Sequence, residues 1–132
     1  MSNIIKCRAF WKGKMYRVLQ IDYREPNTVA LTDEKIDHFN VPIDEVVLMP
    51  FTGMYDKNNK EIYVGDVIQV PNDYNEYGMA AGEKYEVYFA YGGFRMKPKI
   101  RPNARGFYIE DDRVFEVLGN IYENPNLLGG KP

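Results

Sequence analysis

The chain has 132 residues, a formal net charge of −2, 45% hydrophobic and 14% aromatic residues, and one Cys, one His and one Trp. That length holds one ordinary domain or two very small ones and buries a core without covalent staples. The single Cys7 excludes an internal disulfide framework or a cysteine zinc site, the charge gives no global pull toward nucleic acid or an anionic membrane, and charges interrupt every apolar segment short of transmembrane length. The start, MSNIIKCRAF, has no apolar run of signal-peptide length, and a reducing, cytoplasmic location is expected.

Tyr, Phe and β-branched runs, with Gly and Pro spread along the chain, favour an all-β fold with one or two short helical turns. Lys6 to Trp11 alternates, with Cys7, Ala9 and Trp11 on one face and Lys6, Arg8 and Phe10 on the other, which predicts a first strand. Lys12-Gly13-Lys14 turns it into a second, Met15 to Tyr23, and Pro26-Asn27 turns that into Thr28 to Leu31. Asp33 to Asn40 is charged, with Ile36 and Phe39 three apart, so a helical turn competes with a loop. Pro42 to Glu45 fits a single helical turn, since Pro near the start loses no bonded N–H. Val46 to Met49 reads as a fully buried strand.

The stretch Phe51 to Val70, FTGMYDKNNKEIYVGDVIQV, condenses the pattern of the whole chain. Asn tolerates positive φ best after Gly, so Asn58-Asn59 suits a two-residue hairpin turn. Glu61-Ile62-Tyr63 is then a strand, Gly65-Asp66 a tight turn, and Val67, Ile68 and Val70 restart a strand. Beyond it, Pro71 to Glu83 has no period and reads as a long exposed loop. Tyr85, Val87, Phe89 and Tyr91 alternate on one face, and Gly92-Gly93 makes a hairpin to Phe94-Arg95-Met96. Lys97 to Arg105 is a basic loop, Gly106 to Ile109 a short strand and Val114 to Leu118 the last one. The organisation expected is an N-terminal β-meander over 1–50, a small SH3-like barrel over 51–122 and a tail over 123–132.

Phe51-Thr52-Gly53, Asp56-Lys57-Asn58-Asn59-Lys60-Glu61-Ile62-Tyr63 and Gly65-Asp66 resemble the signature of the YopX family of phage and prophage proteins. Arg8-Ala9-Phe10-Trp11 and Gly119-Asn120-Ile121-Tyr122-Glu123-Asn124-Pro125 agree with it, while about Pro71 to Arg105 carries no such match. Asn59 stands where the family often has Gly, Val64 where it often has Glu, and Phe10 where Trp is usual. The resemblance implies a mostly β, phage-encoded protein of the host cytoplasm that self-associates, from a family without an established activity.

Residue types then eliminate most chemistry. The only Ser is Ser2, at the terminus, which argues against a serine nucleophile. Cys7 sits on the apolar face of the first strand as a small buried thiol, and the lone His38 has no second His to share a metal. Glu61 with Asp66, Asp44-Glu45 and Glu110-Asp111-Asp112 read as turn or solvated acids rather than a catalytic pair, with Asp66 bonding nearby backbone N–H groups. Asp56-Lys57-Asn58 echoes a calcium loop, but Lys60 and Glu61 stand where a ligand and a Gly are needed.

One constellation remains. Arg95, Lys97, Lys99, Arg101 and Arg105 lie in a stretch without acids between Glu86 and Glu110, and the first four alternate, so an extended segment presents them on one side. Tyr88, Tyr91, Phe94, Phe107 and Tyr108 lie among or beside them, the ingredients of single-strand nucleic-acid binding on a small barrel. The rest of the chain carries about seven excess negative charges, and most basic runs are solvated loops or contacts to a partner subunit. The reading is therefore a non-enzymatic, self-associating interaction module without cofactor or metal, with host or phage proteins as partners and no membrane. Nucleic-acid binding through Arg95 to Arg105 with Tyr91 and Phe94 is the alternative.

Overall fold

The structure is a computed structural model and describes residues 6–24, 26–35, 37–71, 82–98, 107–108 and 113–128. The described residues are all-β, two antiparallel sheets with one 3-10 turn at Ile43–Glu45. The chain divides into two compact units, Met1–Phe51 and Thr52–Pro132.

In the first unit β1 (Cys7–Trp11), β2 (Lys14–Asp22), β3 (Thr28–Thr32), β4 (Phe39–Pro42) and the start of β5 (Val47–Tyr55) pair in the order β4-β3-β2-β1-β5. Trp11 faces Lys14 across Lys12-Gly13, whose φ values of 47° and 81° make a type I′ turn. The predicted alternation of β1 holds: Cys7 and Ala9 are buried, and burial raises the Cys7 thiol pKa. Ala9, Val29, Leu31 and Val41 form the core, with Trp11, Tyr16 and Phe39 packed on it at ring separations of 5.2 to 6.1 Å.

Phe39 lies in β4 rather than in a helical turn. The three-residue spacing from Ile36 competed there with a period of two, and Phe39 opposite Leu31 and Val41 opposite Val29 use the latter. Ile36 itself lies outside the described residues. Ile43–Glu45 does form the helical turn that Pro42 announces, and Glu45 accepts the Trp11 indole N–H at 3.3 Å. Val46 to Met49 is not a fully buried strand: β5 starts at Val47, which is 37% exposed, and Met49 alone of that run is buried. An apolar run by itself does not separate a strand covered on both faces from one covered on a single face.

In the second unit β7 (Asp66–Gln69), β8 (Lys84–Ala90), β9 (Gly93–Pro98), β10 (Phe107–Tyr108) and β11 (Glu116–Asn120) form a sheet in the order β10-β9-β8-β7-β11, with β6 (Glu61–Tyr63) beside the end of β5. Among the described residues this sheet is open, so the expected SH3-like closure is not seen. Ile62, Ile68, Val70, Tyr85, Val87, Met96 and Phe115 are its core.

Both hairpin turns differ in detail from the sequence reading. The β5–β6 loop is Lys57-Asn58-Asn59 between Asp56 and Lys60, with Asp56 N–H donating to Lys60 O at 2.8 Å and Asn59 N–H to Asp56 O at 3.0 Å. Only Asn59, φ 63°, is left-handed, which fits a three-residue loop rather than a two-residue turn on Asn58-Asn59. The β8–β9 turn is Tyr91-Gly92, φ 55° and 78°, between paired Ala90 and Gly93, one residue earlier than Gly92-Gly93. Gly92 satisfies one left-handed position; Tyr91 occupies the other.

The Asp56 carboxylate, 1% exposed, holds this unit together. Its Oδ1 accepts the Asn58 and Lys60 N–H groups at 2.8 Å each, and its Oδ2 accepts the Val117 N–H of β11 at 3.0 Å. Lys57 N–H donates to Phe115 O at 2.8 Å, and Lys57 pairs with Glu116 at 3.6 Å. The turn therefore occupies the free edge of β11, which would otherwise invite another strand. Burial alone would raise the Asp56 pKa, but the N–H bonds from Val117, Lys60 and Asn58, with the Lys60 charge, outweigh it and hold the carboxyl below its usual range.

At the other end of β11, Gly119 and Asn120 anchor residues that the sequence assigns to a tail. Asn120 Oδ1 accepts the Tyr122 and Glu123 N–H groups at 3.0 and 2.8 Å, and Asn124 Oδ1 accepts Asn120 N–H at 3.2 Å. A Cβ on Gly119 would run into Asn124 Oδ1 and come within 2.8 Å of Leu127, so this close approach requires Gly.

Three outcomes follow from these contacts. Asp56→Ala leaves three backbone donors without their acceptor and lowers unfolding stability by about 3 kcal/mol or more in urea denaturation. Because the Asp56 pKa is depressed in the folded state, its stabilisation is present above the unfolded carboxyl value of about 3.9 and is lost as pH falls through the folded one. Urea midpoints measured from neutral pH down into that range fall more steeply for the native chain than for Asp56→Asn. Gly119→Ala costs about 1–3 kcal/mol, because Asn124 yields only by giving up its bond to Asn120.

Candidate functional site

The signature and the basic segment occupy different places. The signature residues sit in the fold itself. Phe51 bonds the Lys6 carbonyl at 2.9 Å and lies under the Lys6 ammonium at 5.4 Å, and Gly53 takes φ 84° inside β5. Asp56, Asn58 and Asn59 make the turn described above. Arg113 donates to Asn59 Oδ1 at 2.9 Å while lying 4.9 Å from the Tyr55 ring. Glu61 accepts the Tyr63 hydroxyl at 2.9 Å. Gly65, φ 95°, accepts from Ile121, and the buried Asp66 accepts the Tyr63 N–H at 2.7 Å. Asp66 already begins β7 rather than lying in the turn, while its carboxylate takes a nearby backbone N–H as its position after Gly65 predicts.

Sequence reading missed the Asp56 carboxylate as a structural centre, and it missed Asn120. An Asp opening an Asn-rich turn is the local signal for the first. The Val117 contact, 61 residues away, has no local signal. Around the signature, a cavity of about 200 Å³ is lined by Lys57, Gln69, Val70, Pro71, Val114 and Glu116. Its opposite charges are already paired, and its volume is below the usual range for ligand pockets. Among the described residues no three His, Cys, Asp or Glu side chains gather where they could hold a metal ion. His38 is half exposed, 3.9 Å from Asp37, and Cys7 is buried.

The other place is the β8–β9 hairpin. β8 and β9 pair from Tyr85 with Pro98 to Ala90 with Gly93, while β7 follows β8 only to Glu86 and β10 meets β9 only at Arg95 and Met96. Strand alternation then gives two faces. Tyr85, Val87, Phe89, Phe94 and Met96 share one; Glu86, Tyr88, Arg95 and Lys97 share the other. Tyr85, Val87 and Met96 are buried, but Phe89, beyond the reach of β7, is 57% exposed and meets Phe94 edge-on at 5.2 Å.

On the second face, which Lys84 shares further from the turn, Arg95 and Lys97 each lie on a tyrosine. The Lys97 ammonium is 4.7 Å from the Tyr88 ring centre and the Arg95 guanidinium 5.2 Å from that of Tyr91. Tyr91 is 76% exposed, whereas Arg95 is 5% exposed. Lys97 faces Glu86 across the strands, and Tyr108 stands in register with Arg95. Of the sequence-predicted residues, Arg95, Lys97 and Tyr91 come together, and Phe94 lies on the opposite face. Lys99, Arg101 and Arg105 lie outside the described residues. Glu86, in line with Lys97, was not foreseen, although the antiparallel register of the hairpin is the signal that places it.

The whole chain was compared with known proteins. No curated protein matches it. A solved structure, that of protein EF1440 from Enterococcus faecalis, is similar over 96% of this chain and 99% of its own, with a TM-score of 0.58 and 23% sequence identity, and thus has the same fold. The family model described as YopX protein matches residues 5–129, nearly the whole chain. This chain belongs to the YopX family.

Proposed function

We propose that this YopX-family chain is a non-enzymatic, phage-encoded accessory protein of the host cytoplasm that works by protein contact and associates with itself. One observation carries the reading. The apolar face of the β8–β9 hairpin continues past the end of β7, its neighbour in the sheet, and Phe89 is 57% exposed there against Phe94. A large aromatic pair at the free end of a hairpin supplies desolvation energy to a partner at little entropic cost.

Face contact is favoured over edge pairing. The edge of β11 is taken up by Asp56 and Lys57. In β4 the Ile43 bond to Asn27 at 3.1 Å sets the ladder phase, so the backbone of Pro42 points outward and presents no donor to an added strand. With these two edges disfavoured, the reading places contact with a second copy, or with a host or phage protein, on the side chains of the Phe89 face. No helix among the described residues is long and apolar enough to cross a membrane.

Sedimentation velocity over a wide concentration range tests this. The native chain shifts from monomer to oligomer as concentration rises, and Phe89→Ser weakens that association by about tenfold or more. A chain that stays monomeric throughout, or a Phe89→Ser variant that associates as the native chain does, contradicts the reading.

A further inference from the structure

Besides Gly and Asn59, two described residues of the second unit have left-handed backbone, Arg113 at φ 56° and Tyr91. Tyr91 stands at φ 55° in the first position of a two-residue turn, where Gly, Asn or Asp are at ease and a bulky side chain is strained. It is also 76% exposed, an aromatic ring left largely open to solvent. Beneath it lies Arg95, whose guanidinium is 5.2 Å from the ring centre and whose own exposure is 5%. Backbone strain that places an exposed, supported side chain is a feature of binding sites.

The rest of the face has matching chemistry. Moving from the turn down the hairpin, Tyr91 and Arg95 are followed by Tyr88, across from Arg95, with the half-buried Lys97 on it at 4.7 Å. Rings and cations interleave. Aromatic faces take bases without regard to sequence, and a neighbouring ammonium takes a phosphate. We propose that this face binds single-stranded nucleic acid, with a base stacked on the open side of Tyr91 and a phosphate paired with Lys97. Arg95 is too buried to meet phosphate; it is a positioning residue that holds the Tyr91 ring. Glu86, across from Lys97, keeps the positive field local, which suits a strand laid on the aromatic rings better than a duplex held by its phosphates alone.

This site lies on the face opposite Phe89 and does not depend on self-association. Anisotropy of a labelled oligothymidylate and of an oligouridylate, titrated with the full chain at several salt concentrations, tests it. The native chain binds at low salt and weakens as salt rises. Tyr91→Gly loses about 5- to 150-fold in affinity, while Tyr91→Phe keeps it and Lys97→Ala flattens the salt slope by about one. Glycine relieves the strained turn, so the melting temperature of Tyr91→Gly stays level or rises, which separates lost binding from lost folding. Phe89→Ser leaves the affinity unchanged even where it abolishes association. No binding at low salt, or binding indifferent to Tyr91→Gly and Lys97→Ala, overturns the proposal and leaves Tyr91 to protein contact.

Discussion

Three backbone N–H groups converge on one carboxylate that has almost no access to water. Asn58 and Lys60 belong to the turn on which Asp56 sits, and Val117 belongs to a strand 61 residues later. Each donor would cost free energy if it were buried without an acceptor, and the carboxylate would cost more without its donors. Their mutual satisfaction fixes the turn, closes the edge of β11 and sets where the chain goes next. From β11, Gly119 and Asn120 carry the chain into turns that fold back on Gly119, and Ile121 reaches Gly65 O at 2.9 Å. That Ile121 bond, rather than the Asp56 carboxylate, is where the signature meets the Gly119 to Pro125 motif.

The separation of roles follows. Residues with an eye-catching composition, the Asp-Lys-Asn-Asn-Lys run above all, do mechanical work inside the second unit, and their side chains are largely spoken for. The candidate surface lies on the β8–β9 hairpin, which pairs beyond the end of β7 and carries an exposed ring on each side of its free end. One face ends in Phe89 and Phe94, the other in Tyr91 over Arg95. A hairpin of this kind is cheap to vary, because the core contacts of Tyr85, Val87 and Met96 lie nearer its base.

Much of the architecture was legible in the residues. The alternation of Cys7, Ala9 and Trp11 gave a strand and its buried face, Lys12-Gly13-Lys14 a turn, and Gly65 another, although that turn is Val64-Gly65, one residue earlier than Gly65-Asp66. Where the reading slipped, two local periods or two turn registers competed: Phe39 sat equally well in a helical turn, and Gly92-Gly93 hid the left-handed Tyr91. Of the candidate face, the basic character of Arg95 and Lys97 was plain, but not that Arg95 is buried under Tyr91, since burial is decided by strands that arrive from elsewhere. The Val117 bond to Asp56 could not be read at all, because no local pattern tells a turn carboxylate which distant strand it will serve.

Amide hydrogen exchange at Val117 is the most direct test of this account. An edge strand without a partner exchanges its outward amides quickly. If the Asp56 carboxylate closes the edge, the Val117 amide is protected together with the core amides of Ile68 and Val87, and Asn58 and Lys60 are slow for turn residues. Rapid exchange at Val117, at the rate of an open edge, would contradict the account and return the signature residues to the surface as candidates for a site of their own.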